Sequence, residues 1–485
     1  MPRRDHIPDT EGGSGRLPGP ATGPGTALAP AAAPATHLRA ILALGLPLIG
    51  SLLAQMSMGL VDTVMLGWYD VEALAGQVLG SAFFFILYLF GAGFAWAVMP
   101  LVAASSEAGD TTHLRRVTRM GLWISLLMAA AVLPLMLFSA PILKALGQDA
   151  RLADIAQTYL RVAGWGIFPG LLAMVLRSYF TALEHPRVVL WVTLLGAAVN
   201  AALNYLLIFG NFGAPELGVR GAALASASVF GLTFLVMAAI AVARFPDHRL
   251  FVRFWRPDWQ VFSQVARMGL QIGLTMLAEA GLFSASTLIM GMIGTVPLVA
   301  HGIALQIISV FFMVHLGLSN AATVRAGRAL GRGDEAGLRL GAAMVLALSG
   351  GFALITAAMF LAVPGRLIGL FLAPDEPLRL EILAIGRRLL VVAALFQLVD
   401  AAQVMALGLL RGVQDTRAPM VYAVVSYWLI GAPLSWGLGV ALGWGGIGVW
   451  LGLTAGLAVA AVLMQGRFWL RSARIERRPG AEVTP

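Results

Sequence analysis

Three carboxylates stand inside stretches of sequence that are otherwise apolar enough to lie in a lipid bilayer. Asp62 occurs in Gly59-Leu-Val-Asp-Thr63, Glu279 in Met276-Leu-Ala-Glu-Ala280, and Asp400 in Gln397-Leu-Val-Asp-Ala-Ala-Gln403. An acidic residue at the centre of a membrane helix costs about 2.5–3.5 kcal/mol on insertion scales, so such residues face a bundle interior or a wet cavity and mark ion or substrate paths. No arginine or lysine stands three or four positions from any of the three, so a local ion pair is not expected. Each acid belongs to a polar stripe at helical spacing. Gln55, Gly59 and Asp62 share one face, Gln271, Thr275, Glu279 and Ser286 a second, and Gln397, Asp400 and Gln403 a third. Asn200 and Asn204 stand one turn apart and could add amide oxygens beside Asp62, although such residues also bridge helices by hydrogen bonds. Carboxylate with amide oxygens suits a hard cation such as Na+, while a carboxyl group with little water around it also takes up protons readily. Na+ at Glu279, Asp400 and Asp62, or H+ in its place, is therefore the expected coupling ion, and no other cofactor is called for. Gln306 is a weaker candidate of the same kind. His301 and His315 have no acid on their own stretch and are expected to be hydrogen-bonded packing residues.

The elements that must position these residues follow from composition. Of 485 residues, 59% are hydrophobic and 12% charged, and mean hydropathy is +0.83. A water-soluble fold has no means of covering that balance with polar surface. Runs of about 20 apolar residues, the length that crosses a hydrocarbon core, recur along the chain. They predict an all-α polytopic membrane protein of about twelve transmembrane helices near 39–66, 74–103, 117–140, 157–182, 188–209, 219–243, 262–290, 298–325, 338–363, 383–410, 418–441 and 446–469. Arginines cluster after every second span, at Arg115, Arg187, Arg244, Arg325, Arg411 and Arg467, which predicts both termini on the cytoplasmic side of a bacterial inner membrane. The formal charge of +9 is spread over these short breaks, so nucleic acid is not an expected partner. With no cysteine, thiol chemistry is excluded.

An internal repeat divides the chain. Gly109-Asp110 before Leu114-Arg115 matches Gly333-Asp334 before Leu338-Arg339, Leu183-Glu-His-Pro-Arg187 matches Val413-Gln-Asp-Thr-Arg417, and Gly218 and Gly221 recur as Gly445 and Gly448. Six spans per half make the repeat parallel, with a site expected between two lobes. The expected organisation is a disordered cytoplasmic tail over 1–36, a six-helix lobe over 37–244, an interfacial linker over 245–262, a second six-helix lobe over 263–470 and a cytoplasmic tail over 471–485. Phe251, Phe254, Trp255 and Trp259 among arginines suggest that the linker lies in the headgroup layer.

Gln55-Met-Ser-Met-Gly-Leu-Val-Asp-Thr-Val-Met65, Val299-Ala-His-Gly-Ile-Ala-Leu305, Gly317-Leu-Ser-Asn-Ala-Ala-Thr-Val-Arg-Ala-Gly327, and Asp400-Ala-Ala-Gln-Val404 leading to Leu410-Arg-Gly412 together resemble the multidrug and toxic compound extrusion (MATE) family. Gly210-Asn-Phe-Gly-Ala-Pro-Glu-Leu-Gly218 and Tyr427-Trp428 place the NorM-type branch nearest, over about residues 38–465. The resemblance implies a monomeric exporter that exchanges Na+ or H+ for lipophilic organic cations such as drugs and dyes, with membrane lipids around it. Glu279 and Asp400 match that branch's second-lobe cation site, and Asp62 with Asn200 and Asn204 resembles its first-lobe site. The sequence departs from the family pattern at Gly302, His315, Asn204 and Ser226. A lipid or polysaccharide-precursor flippase is the alternative transport reading and would ask for an arginine-lined cavity. An intramembrane enzyme is a further alternative, with neither a His-Glu-x-x-His nor a phosphate-binding loop in its favour.

Overall fold

The computed structural model describes residues 34–475. The expectations for 1–33 and 476–485 lie outside the described residues. Among the described residues, twelve helices are long and apolar enough to cross a membrane, which makes the chain a multi-pass membrane protein. We number them α1 (Pro34–Tyr69), α2 (Val71–Glu107), α3 (Thr111–Leu137), α4 (Ala150–Ala182), α5 (Pro186–Phe209), α6 (Val219–Arg244), α7 (Trp259–Ile293), α8 (Thr295–Arg332), α9 (Glu335–Ala362), α10 (Arg379–Gly412), α11 (Arg417–Ala441) and α12 (Gly445–Ser472). No strand occurs among the described residues. Helix starts are set by side-chain caps: Asp70 accepts from the Ala73 amide and Asp110 from His113, each satisfying a donor that the first turn leaves free.

The repeat read from the sequence is carried in backbone geometry. Gly109 and Gly333 both sit at left-handed φ, +71° and +68°, and the aspartate after each caps the next helix. Glu184 and Gln414 adopt φ of +60° and +62°, an uncommon conformation for side-chain-bearing residues and the same in both halves. Gly221 and Gly448 occupy equivalent close approaches, where an added Cβ would lie 2.3 Å from the Leu207 carbonyl oxygen and 2.5 Å from the Leu438 carbonyl carbon.

One large core is built around α8, α9, α10 and α12, and another around α2, α3 and α4. The second of these also takes in Val261 and Val265 of α7 and Ala321 and Val324 of α8, so the halves interlock at the end of the bundle that carries Glu107. At that end an added Cβ at Gly331 of α8 would stand 2.5 Å from the Ala104 carbonyl oxygen, and near the middle of α2 one at Gly93 would stand 2.5 Å from the Gly273 amide of α7. Glu107 binds Arg328 at 2.5 Å and Arg332 at 2.6 Å, and Arg328 also pairs with Glu184.

The linker packs against α3 of the first half. Arg119 of α3 donates to the Leu250 and Arg249 carbonyls, Trp123 donates to the Phe254 carbonyl, and Leu250 is buried. Trp255 and Trp259 remain exposed, as headgroup-facing aromatics would, whereas Phe251 and Phe254 turn inward because the first-half core offers apolar surface beneath them.

Candidate functional site

The second-half acids lie on α7 and α10. Glu279 is 8% exposed and Asp400 1%, and each is an electrostatic neighbour of the other. α11 widens into π-helical turns at Val425–Gly431, a distortion frequent at functional sites, and it brings the fully buried Tyr427 within reach of both acids. The Tyr427 hydroxyl accepts from Gln403 Nε2 at 2.9 Å. Gln397 is joined to His315 at 2.8 Å, and His315 to Ser349 at 2.7 Å, so His315 acts as a packing hydrogen-bonder. His301 does the same, accepting from Trp450 Nε1 at 3.1 Å. Neither carboxylate oxygen of Asp400 has a hydrogen-bond partner, and the Gln397 and Gln403 amide oxygens and Arg411 Nε on the same helix are also unpartnered.

One basic group, Arg411, approaches the acids from beyond the reach of local helical spacing. The sequence reading leaves it beyond the tenth span, but α10 continues to Gly412 and buries it. It lies 5.7 Å from the centre of the Trp96 ring, approaches Met276 Sδ at 3.6 Å, and acts electrostatically on Glu279 from a different helix. Periodicity along one helix carries no sign of such an approach. Among the described residues the two form no ion pair within 4.0 Å.

In the first half, Asp62 is 8% exposed and accepts from Asn204 Nδ2 at 2.5 Å and from Ser226 Oγ at 3.0 Å. Asn204 also donates to Asn200 Oδ1 at 3.3 Å. Asp62, Asn200 and Asn204 are thus brought together as expected, with Ser226 as a fourth member. Three other candidates fall outside these clusters. Gln55 accepts a hydrogen bond from Arg177 at 2.7 Å, Ser286 donates to the Phe283 carbonyl of its own helix at 2.7 Å, and Gln306 is exposed. Arg177 is a charged residue within a span that the sequence reading passed over. Its signal was plain in the sequence, an arginine thirteen residues after Gly164, deep in the apolar run.

The MatE family model matches residues 47–206 and 272–436. The chain belongs to the MATE family. The probable multidrug resistance protein NorM of Rhizobium meliloti (strain 1021) is 45% identical over 452 residues, which cover 92% of this chain and 96% of the relative. The NorM of Pseudomonas aeruginosa is 37% identical over 90% of each chain. The fold agrees with the crystal structure of MATE in the bent conformation, at TM-score 0.82 and 19% identity over 92% of this chain and 98% of that one. A eukaryotic MATE transporter gives a TM-score of 0.79 at 18% identity over 91% of this chain and 98% of that one. Family membership makes the chain a multidrug efflux transporter, not an enzyme.

Proposed function

We propose that this exporter moves lipophilic organic cations out of the bacterial cytoplasm, across the inner membrane, in exchange for Na+ or H+, acting as a monomer with both termini cytoplasmic. The observation that carries the reading is Asp400, buried with both carboxylate oxygens unpartnered beside Glu279. An ionised carboxylate is not stable in that setting without a counter-charge. Two carboxylates and the Arg411 guanidinium sum to −2 + 1 = −1, so one monovalent cation neutralises the cluster. Either the coupling ion or a cationic drug supplies that charge, and the competition makes their binding mutually antagonistic. A one-for-one exchange of monovalent cations moves no net charge, so the coupling ion's concentration gradient drives it, at about 1.4 kcal/mol per tenfold.

Arginine placement supports a cytoplasmic position for the Glu107 end. The lobes interlock at that end, so this conformation corresponds to an outward-open state, the one in which drug is released and the coupling ion enters. Ethidium uptake into inverted vesicles under separately imposed Na+ and pH gradients tests the reading and identifies the ion. Glu279→Gln and Asp400→Asn are expected to abolish gradient-driven efflux with the protein still folded in the membrane. Wild-type efflux by both variants refutes it. The flippase alternative asks for an arginine-lined cavity, and the first-half recess holds a single arginine, Arg177.

A further inference from the structure

The two halves differ in the sign of the charge they enclose. Leu183 and Val413 are matched residues of the repeat, an offset of 413 − 183 = 230, and both end their helix in the same conformation. At that offset the α10 position of Asp400 corresponds to Gly170 of α4, and that of Gln403 to Ala173. Gly170 and Ala173 line a narrow recess between α1, α2, α4, α5 and α6. Where the second half places a carboxylate and an amide, the first half thus leaves room. One turn beyond Ala173, Arg177 reaches into that room. Its NH1 donates to Gln55 Oε1 and its NH2 to Ser51 Oγ, both at 2.7 Å. These bonds use two of the five guanidinium N–H donors and orient the group without neutralising it. Among the described residues, no carboxylate lies within 4.0 Å of Arg177.

The facing wall of the recess is aromatic. Tyr88 and Phe230 stack at 5.9 Å with 10° between their planes, and Phe84 continues the stack. A guanidinium with free donors binds a carboxylate through two parallel hydrogen bonds, and a flat aromatic wall favours a flat aromatic ligand. We propose that this recess is an anion subsite in which Arg177, held by Ser51 and Gln55, receives the carboxylate of an aromatic acid whose ring lies against Tyr88 and Phe230. The transporter then encloses two recesses of opposite polarity, one for cations and one for aromatic acids. That such acids are exported rests on the exporter reading above, whereas their binding does not.

The test is equilibrium dialysis of the full chain in phosphatidylcholine nanodiscs against 2-naphthoate and its neutral methyl ester. The wild type is expected to bind the acid at least tenfold more tightly than the ester. Arg177→Gln is expected to erase that preference and Arg177→Lys to keep part of it, with ethidium binding changed less than twofold in either. Equal binding of acid and ester by the wild type, or an unaltered preference in Arg177→Gln, overturns the proposal. Should Arg177→Gln fail to fold, the wild-type comparison still decides, and Phe230→Leu is expected to weaken acid and ester alike several-fold. Loss of naphthoate binding in phosphatidylglycerol discs assigns the guanidinium to a lipid headgroup and also overturns it. Ethidium efflux without acid preference sinks the subsite alone, and acid preference without ethidium efflux sinks the exporter reading alone.

Discussion

Replacing Glu107 with glutamine tests whether the ion cluster at the Glu107 end of the bundle latches the two lobes. Glu107 joins α2 of the first lobe to Arg328 and Arg332 of α8 in the second, with side chains 16%, 26% and 38% exposed. Hydrogen bonds to a charged group contribute about 1.5–3 kcal/mol; a glutamine keeps one acceptor oxygen for one arginine, and its NH2, a donor, accepts nothing from the other, so one such bond is lost. The bond between Arg328 and Glu184 survives the change. A loss of about 2 kcal/mol, at 1.4 kcal/mol per decade, raises the population open at this end about thirty-fold. The chain contains no cysteine, so a single Ala321→Cys, placed where the second-lobe helix is buried in the first-lobe core, reports that opening by its rate of maleimide labelling. The labelling rate in vesicles is expected to rise about thirty-fold with Glu107→Gln and to remain near the parent value with Glu376→Gln, a substitution on a remote loop. An increase below threefold with Glu107→Gln refutes the latch.

Three further outcomes are expected. Gly93→Ala drives a methyl group into the Gly273 and Gly269 backbone across the lobe boundary, at a cost of about 1–3 kcal/mol. It should raise the same labelling rate tenfold or more, while Gly59→Ala, which meets nothing within 4 Å, leaves it unchanged. Asp62→Asn is expected to slow gradient-driven ethidium efflux several-fold and Asp400→Asn to abolish it; equal losses contradict the ordering of the two sites. Burial holds the His248 imidazole below its ordinary value of 6.5, where it meets the Tyr179 hydroxyl at 2.6 Å. A depressed histidine contributes stability that is complete above 6.5 and is lost as pH falls through the lower folded value. The melting temperature should therefore drop more between pH 7.5 and 5.5 in the wild type than in His248→Gln.

Span positions were legible in the sequence because lipid demands long apolar runs, and the helices begin and end within a few residues of those runs. The repeat was legible for a related reason: Gly109 and Gly333 mark turns with φ that few other residues adopt. The grouping of Asp62 with Asn200 and Asn204 followed from helical spacing aided by family resemblance. What periodicity could not supply was contact between helices remote in sequence. Arg411 approaches Glu279 from α10, and Gln55 turns from Asp62 to Arg177 on α4. Ser286 satisfied its hydroxyl on its own helix, as serines in apolar helices commonly do. The linker phenylalanines read as headgroup aromatics, because nothing local marks the core surface that receives them.

The two acid clusters differ in how well their charge is already satisfied, and that difference orders their roles. Asp62 accepts from Asn204 and Ser226, so its ionised form is held by donors that do not move with an ion. Asp400 accepts from nothing. A buried carboxylate that is already hydrogen-bonded gains little more from an arriving cation, whereas one without partners recovers most of its lost solvation on binding it. The free-energy difference between loaded and empty states is therefore concentrated at Asp400 and Glu279, and only a site with such a difference can shift a conformational equilibrium. Arg411 sharpens the response by cancelling one of the two negative charges, which leaves the cluster poised between one charge and none. Under the proposed exchange, a drug cation and a coupling ion would present the same change to the second lobe, and alternation between them would follow without any direct contact between the two.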